Sequence, residues 1–235
     1  MFEHQVDMFG PSVGFIKFKA DCVHRASNDT NIPGIVFMRG HSVGILMELT
    51  AEESKRRYIV LTKQPRFAVP HRAFLEIPAG MVDGDGGFVG QAATKVKEKT
   101  GIEIKGGGLV ELTGHDAPIG MSCGISDEAI KLFLYRKVMP DAAIQELQGV
   151  LSGCEQEGER IVVQVIPIED LKHQLCDGKS LAALALHEGM PMARDEEHTI
   201  EDVYTAVNKR HDNKFGKHEP LLVEGSHDPA LTRLL

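Results

Sequence analysis

The chain has no tryptophan, and aromatic residues make up only 6% of it, so few large rings are available to build a core or a stacking platform. No stretch approaches the roughly 18 consecutive apolar residues that a membrane-spanning helix needs. An excess of basic charge is missing too: the net charge of -8 argues against bulk electrostatic binding of nucleic acid, though not against a local basic pocket. The first fifteen residues, MFEHQVDMFGPSVGF, lack a basic region followed by an apolar one and are not Arg-rich, so neither a secretory signal nor a mitochondrial presequence is expected. The four cysteines (Cys22, Cys123, Cys154, Cys176) are scattered with no metal or redox spacing, and the eleven histidines are scattered likewise. Free thiols in a reducing, cytoplasmic setting are the expectation.

What is present is the composition of a globular protein, with 42% hydrophobic and 26% charged residues over a length ample for a buried core. Short apolar runs separated by Gly- and Pro-rich turns predict strands at Ile35-Val36-Phe37, Val43 to Met47 and Tyr58 to Leu61, with a charged hairpin connection over Ala51 to Arg57. Val89, Ala93, Val96 and Thr100 recur three or four apart, which predicts a helix over Gly90 to Thr100 ended by Gly101. Strands are expected at Leu109 to Thr113, Ala129 to Val138 and Arg160 to Pro167. A short helix should start at Ile168, and a second helix should run from Ser180 to Glu188. Strands and helices mix without strict alternation, which favours an α+β layered sandwich. The expected organisation is an N-terminal strand segment over 1–32, one domain over 33–190, and a polar C-terminal extension over 191–235.

The segment Glu76-Ile77-Pro78-Ala79-Gly80-Met81-Val82-Asp83 resembles the E-L-P-A-G-x-x-D start of the active-site segment of Nudix hydrolases acting on nucleotide sugars. The family's box is G-x5-E-x7-R-E-U-x-E-E-x-G-U, where U is bulky and apolar. Laid from Gly80, the defining positions here hold Gly80, Gly86, Thr94, Lys95, Val96, Glu98, Lys99, Gly101 and Ile102. The glycines at both ends and both apolar positions are kept. Gly86, Lys95 and Lys99 stand where the family has glutamates, and Thr94 where it has arginine. Pro33 to Phe37, Leu61 to Arg66, Gly120 to Arg136, Glu146 to Gly149, Gly158 to Ile161 and Ser180 to Leu186 are similar to further segments of the plant-type ADP-sugar pyrophosphatases. The resemblance thus spans roughly Pro33 to Gly189.

The resemblance implies a Nudix-type α/β/α sandwich with a mixed sheet, and hydrolysis of a nucleoside-diphosphate sugar of the ADP-ribose or ADP-glucose class. It also implies a homodimer and a Mg²⁺ requirement, which the lost box carboxylates put in doubt. Among metal positions it leaves Glu98 and Ala79. From the later loop it implies Glu157 or Glu159 as the base or extra ligand, within the acidic run Glu155, Glu157, Glu159. Arg66 and Glu76 carry over as substrate contacts, with Arg66 meeting phosphate or stacking on adenine. Asp127 and Glu128 either cap the following strand or touch substrate. Lys95 and Lys99, four apart on one helix, either hold phosphate as point charges or are solvated bystanders. The alternative function is a nucleotide- or RNA-binding protein that uses the fold without cutting.

Overall fold

A computed structural model describes residues 3–24, 30–32, 34–69, 71–82, 88–104, 108–114, 118–153 and 159–189. The expected C-terminal extension, the box residues Gly84, Gly86 and Gly87, and Glu155 and Glu157 lie outside the described residues. The chain divides into two compact units, the first holding residues up to Arg39 together with Ser122–Asp127, the second running from Gly40 to Met121 and on from Glu128.

The first unit is built of strands. β1 (Glu3–Phe9), β2 (Ser12–Lys19) and β5 (Ile35–Met38) form an antiparallel sheet in the order β1-β2-β5, while β3 (Cys22–His24) pairs with β4 (Thr30–Ile32). Gly10 closes the β1–β2 hairpin at φ 59, a left-handed conformation that glycine adopts without steric cost. Phe9, Phe15 and Phe37 make a chain of ring contacts on this sheet, with centroids 4.9 and 5.2 Å apart.

The second unit is an α+β sandwich around one mixed sheet. Its strands are β6 (Ser42–Ala51), β7 (Arg57–Arg66), β8 (His71–Glu76), β9 (Ala79–Met81), β10 (Leu109–Glu111), β11 (Ile119–Gly120), β12 (Ala129–Met139), β13 (Leu151–Ser152) and β14 (Ile161–Pro167). Its helices are α1 (Phe88–Thr100), α2 (Asp141–Glu146) and α3 (Gly178–Gly189), with a 3₁₀ helix over Ile168–His173. The main path runs β10-β12-β6-β7-β14-β13, with β6 and β12 parallel and the other pairs antiparallel. The strands and helices expected from periodicity are all present, displaced by at most a few residues at their ends. Periodicity does not foretell α2.

β6 reads as an almost unbroken apolar run because both of its faces are covered. Val43, Ile45, Met47 and Leu49 pack with Ala92 and Val96 of α1 and Ile144 of α2. Leu46 packs on the opposite face with Leu132, Leu134, Leu171 of the 3₁₀ helix, and Ala183 and Leu184 of α3. This alternation is what makes three layers from one sheet.

The sheet forks where the candidate site lies. β6 pairs with β7 over Met47–Thr50 but with β9 over Ser42–Gly44, while β7 leaves β6 after Val60 and pairs with β8 from Thr62. Glu76 to Ala79 bridges the fork: Thr62 Oγ1 donates to the Glu76 carbonyl at 3.1 Å, and Ile45 N donates to the Pro78 carbonyl at 2.9 Å. No helix among the described residues is long and apolar enough to cross a membrane.

Candidate functional site

α1 buries Ala92, Val96 and Lys99, a spacing of four and three that lies along one face, whereas Thr94 and Glu98 are exposed. The helix ends at Gly101, whose φ of 73 and N–H bond to the Lys97 carbonyl at 2.9 Å complete a left-handed cap. Ser152 Oγ donates to the Lys99 carbonyl at 2.6 Å and Gly153 N to the Glu98 carbonyl at 3.2 Å, tying this helix end to the turn after β13. Gly153 has φ 102, and a Cβ there would come 3.0 Å from the Glu159 Cβ, so only glycine lets the two segments approach.

That approach brings two sequence candidates together. Lys99 Nζ lies 2.5 Å from Glu159 Oε1, with the lysine side chain 6% and the glutamate side chain 22% exposed. A cation therefore already sits against the acid of the later loop. Glu98 lies on the exposed side of the same turn, and the Lys95 side chain is outside the described residues. Ala79 opens β9, opposite Gly44 of β6, and has only its backbone carbonyl to offer a metal. Among the described residues, no three His, Cys, Asp or Glu side chains converge as a metal centre requires.

A second cluster occupies the fork. Glu76 is 1% exposed, and a carboxylate buried that far must be paired. Arg66 Nε at 2.7 Å, Arg66 Nη2 at 2.6 Å and Gln64 Nε2 at 2.9 Å all converge on Oε1, while Lys179 Nζ donates to Oε2. Lys179 also donates to Asp177 Oδ1 at 2.9 Å. Asp177 caps α3, its Oδ2 accepting from Ser180 N at 3.0 Å and from the Ser180 hydroxyl, and that hydroxyl accepts from Ile77 N at 2.9 Å. The pairs stitch the first turn of α3 to the strand beside it. The sequence singles out Arg66 and Glu76 but not Lys179 and Asp177, whose charge next to Ser180 is the only signal they carry.

Asp127 and Glu128 are engaged by backbone and hydroxyl donors. Asp127 Oδ1 accepts from Arg39 N at 2.7 Å in the first unit, and Glu128 Oε1 accepts from Ser42 Oγ at 3.1 Å in the second.

A third polar cluster has no counterpart among the sequence candidates. Glu48, 4% exposed on β6, lies 2.8 Å from His187 Nε2 of α3, 3.5 Å from Arg57 Nη1 and 3.8 Å from Arg136 Nε, its register neighbour on β12. Burial pushes the Glu48 carboxyl up, but the close approach of the His187 ring and the charges of Arg57, His187 and Arg136 outweigh it and hold the group below the usual carboxylate range. A depressed folded-state value stabilises the fold above the unfolded-state pKa of about 4.3, and that contribution is lost as pH falls through the folded-state value. Glu48→Gln is accordingly expected to flatten the acid limb of a plot of melting temperature against pH. Parallel acid limbs in mutant and wild type would refute the linkage.

No family model matches the chain. It is 41% identical over 189 residues to the protein described as Nudix hydrolase 14, chloroplastic, of Arabidopsis thaliana, an alignment covering 78% of this chain and 60% of the relative. The chain thus spans about three fifths of the length of the curated relative it matches.

Proposed function

The chain belongs to the Nudix family, and on that premise we propose that it handles nucleoside-diphosphate sugars of the ADP-ribose or ADP-glucose class as a pyrophosphohydrolase whose catalysis is weakened or lost. The observation that carries the proposal is the 2.5 Å pair between Lys99 and Glu159. In this reading Glu159, the loop acid expected to take a proton from water, is neutralised by a lysine standing at a box position that the family fills with glutamate. A carboxylate held by an ammonium ion is a poorer base. Hard Mg²⁺ takes oxygen ligands, usually carboxylates together with substrate phosphates. The described residues do not fit it: Glu98 is the one box carboxylate left in the sequence, and the Lys99 charge repels a cation at that place.

Substrate binding is retained in this proposal. Arg66 is 42% exposed on the fork, where its guanidinium can meet a phosphate or stack on the base. The same exposure favours the second reading, a nucleotide- or RNA-binding protein that does not cut, because an arginine needs no metal to hold phosphate. The homodimer implied by the family resemblance belongs to the proposal and is read from the elution volume of the same preparation.

The test is an assay of ADP-ribose and ADP-glucose at saturating Mg²⁺, following release of AMP. The expected turnover lies well below the ordinary enzymatic range of ~1 to 10³ s⁻¹. Turnover inside that range would overturn the proposal, and binding with no release at all would favour the second reading.

A further inference from the structure

Both Arg66 contacts with Glu76 fall on a single oxygen. Nε at 2.7 Å and Nη2 at 2.6 Å both reach Oε1. An arginine facing a carboxylate ordinarily forks across both oxygens, with two parallel N–H···O bonds. Here the second oxygen is taken, because Lys179 Nζ donates to Oε2. Lys179 is itself held from behind by Asp177, 10% exposed, whose other oxygen caps α3. The side chains of Lys179 and Glu76 are 15% and 2% exposed, so their contact is shielded from water and salt, whereas the Arg66 side chain remains 42% exposed. Of the five N–H donors of a guanidinium, these two contacts use two, and the other three have no partner among the described residues.

We infer that Lys179 is a positioning residue: by occupying Oε2 of Glu76 it confines Arg66 to Oε1 and turns the free edge of the guanidinium outward as a receptor for the diphosphate of the ligand. This deepens the proposed function and rests on it. Without the ammonium group, Oε2 would be a buried acceptor lacking its donor, a costly arrangement. Arg66 is the nearest cation able to satisfy it. The guanidinium then swings to fork across both oxygens, which uses the same two donors but turns the edge that carries the other three away from the ligand. The four charges Arg66, Lys179, Glu76 and Asp177 sum to zero, so the arrangement offers its edge without a surplus carboxylate to repel the anion.

The test has one arm without ligand and one with it. In ¹⁵N-labelled protein, the Nε–H signal of Arg66 is assigned by its loss in Arg66→Lys. Lys179→Met is expected to shift that signal, and Lys179→Arg to return it, because an arginine at 179 keeps a cation on Oε2. Should Lys179→Met fail to fold, Lys179→Leu, which likewise leaves Oε2 without its donor, serves in the same comparison with Lys179→Arg. In the second arm, ADP-ribose is titrated calorimetrically in the presence of a chelator. Lys179→Met is expected to weaken binding about tenfold in the wild-type background and to have no further effect in an Arg66→Ala background, since the lysine acts through the arginine. An Arg66 signal identical in wild type and the Lys179 variants overturns the inference, as does an affinity loss that simply adds to that of Arg66→Ala. If wild type binds no ADP-ribose, the proposed function fails, and the ligand-free signal still decides whether Lys179 sets the arginine.

Discussion

Lys95→Glu combined with Lys99→Glu is expected to yield a protein that binds Mn²⁺ or Mg²⁺ and gains diphosphatase activity. Positions 95, 98 and 99 lie within one turn of α1, and the double change moves their summed charge from about +1 to about -3. The structure adds a fourth carboxylate: Glu159, now 2.5 Å from Lys99 Nζ, would be released from its pair. Without metal, a carboxylate at position 99 would face Glu159 in a mostly buried place and cost stability; losing one partner of a buried pair typically costs about 3–5 kcal/mol. For a chain of this size that corresponds to a melting temperature lower by roughly 6–20 °C. Metal at a hundred times its dissociation constant should return about 2.7 kcal/mol. Melting curves in chelator and in Mn²⁺ read both effects. A double mutant whose stability is the same in both buffers would mean that the lysines do not stand at a metal position.

Replacing Glu76 by alanine is expected to be comparably damaging, with a loss of about 3–5 kcal/mol in denaturant unfolding. The substitution leaves Lys179, 15% exposed, with Asp177 alone, and removes the shared acceptor of Gln64 and Arg66. The bridge across the fork loses its anchor to α3 at the same time, since Ile77, bonded to Ser180, is the next residue. Glu76→Gln, which keeps the shape and one acceptor oxygen, should cost less. A loss below about 1 kcal/mol for the alanine variant, the magnitude of an exposed ion pair, would show that the cluster is not the buried anchor described here.

The layers of the fold were legible because they follow local periodicity. The stripe Val96–Thr100 and the glycine behind it mark α1, and the short apolar runs between turns mark β6, β7, β12 and β14. α2 escapes because six residues give too little periodicity to separate a helix from a loop; its Asp141 is explained only by the tertiary bonds it accepts from Glu53 N and Ser54 N at 3.1 and 3.3 Å. Of the candidate site, the sequence offers single residues and not their pairings. Lys99 and Glu159 each follow from the family pattern, but they are 60 positions apart and nothing local announces that one neutralises the other. Lys179 reaches Glu76 across 103 positions. Glu48 carries a signal, a lone acid inside an apolar strand, yet its neighbours Arg57, Arg136 and His187 come from β7, β12 and α3 and meet only in the folded chain.

If this site meets its ligand with protein cations instead of a bound metal, Mg²⁺ should leave the affinity for that ligand almost unchanged. ADP-ribose titrated calorimetrically into the wild-type protein, once in chelator and once at saturating Mg²⁺, gives the comparison. The two dissociation constants are expected to agree within about twofold. A tightening by Mg²⁺ of about tenfold or more, equivalent to roughly 1.4 kcal/mol, would mean that a metal completes the site after all.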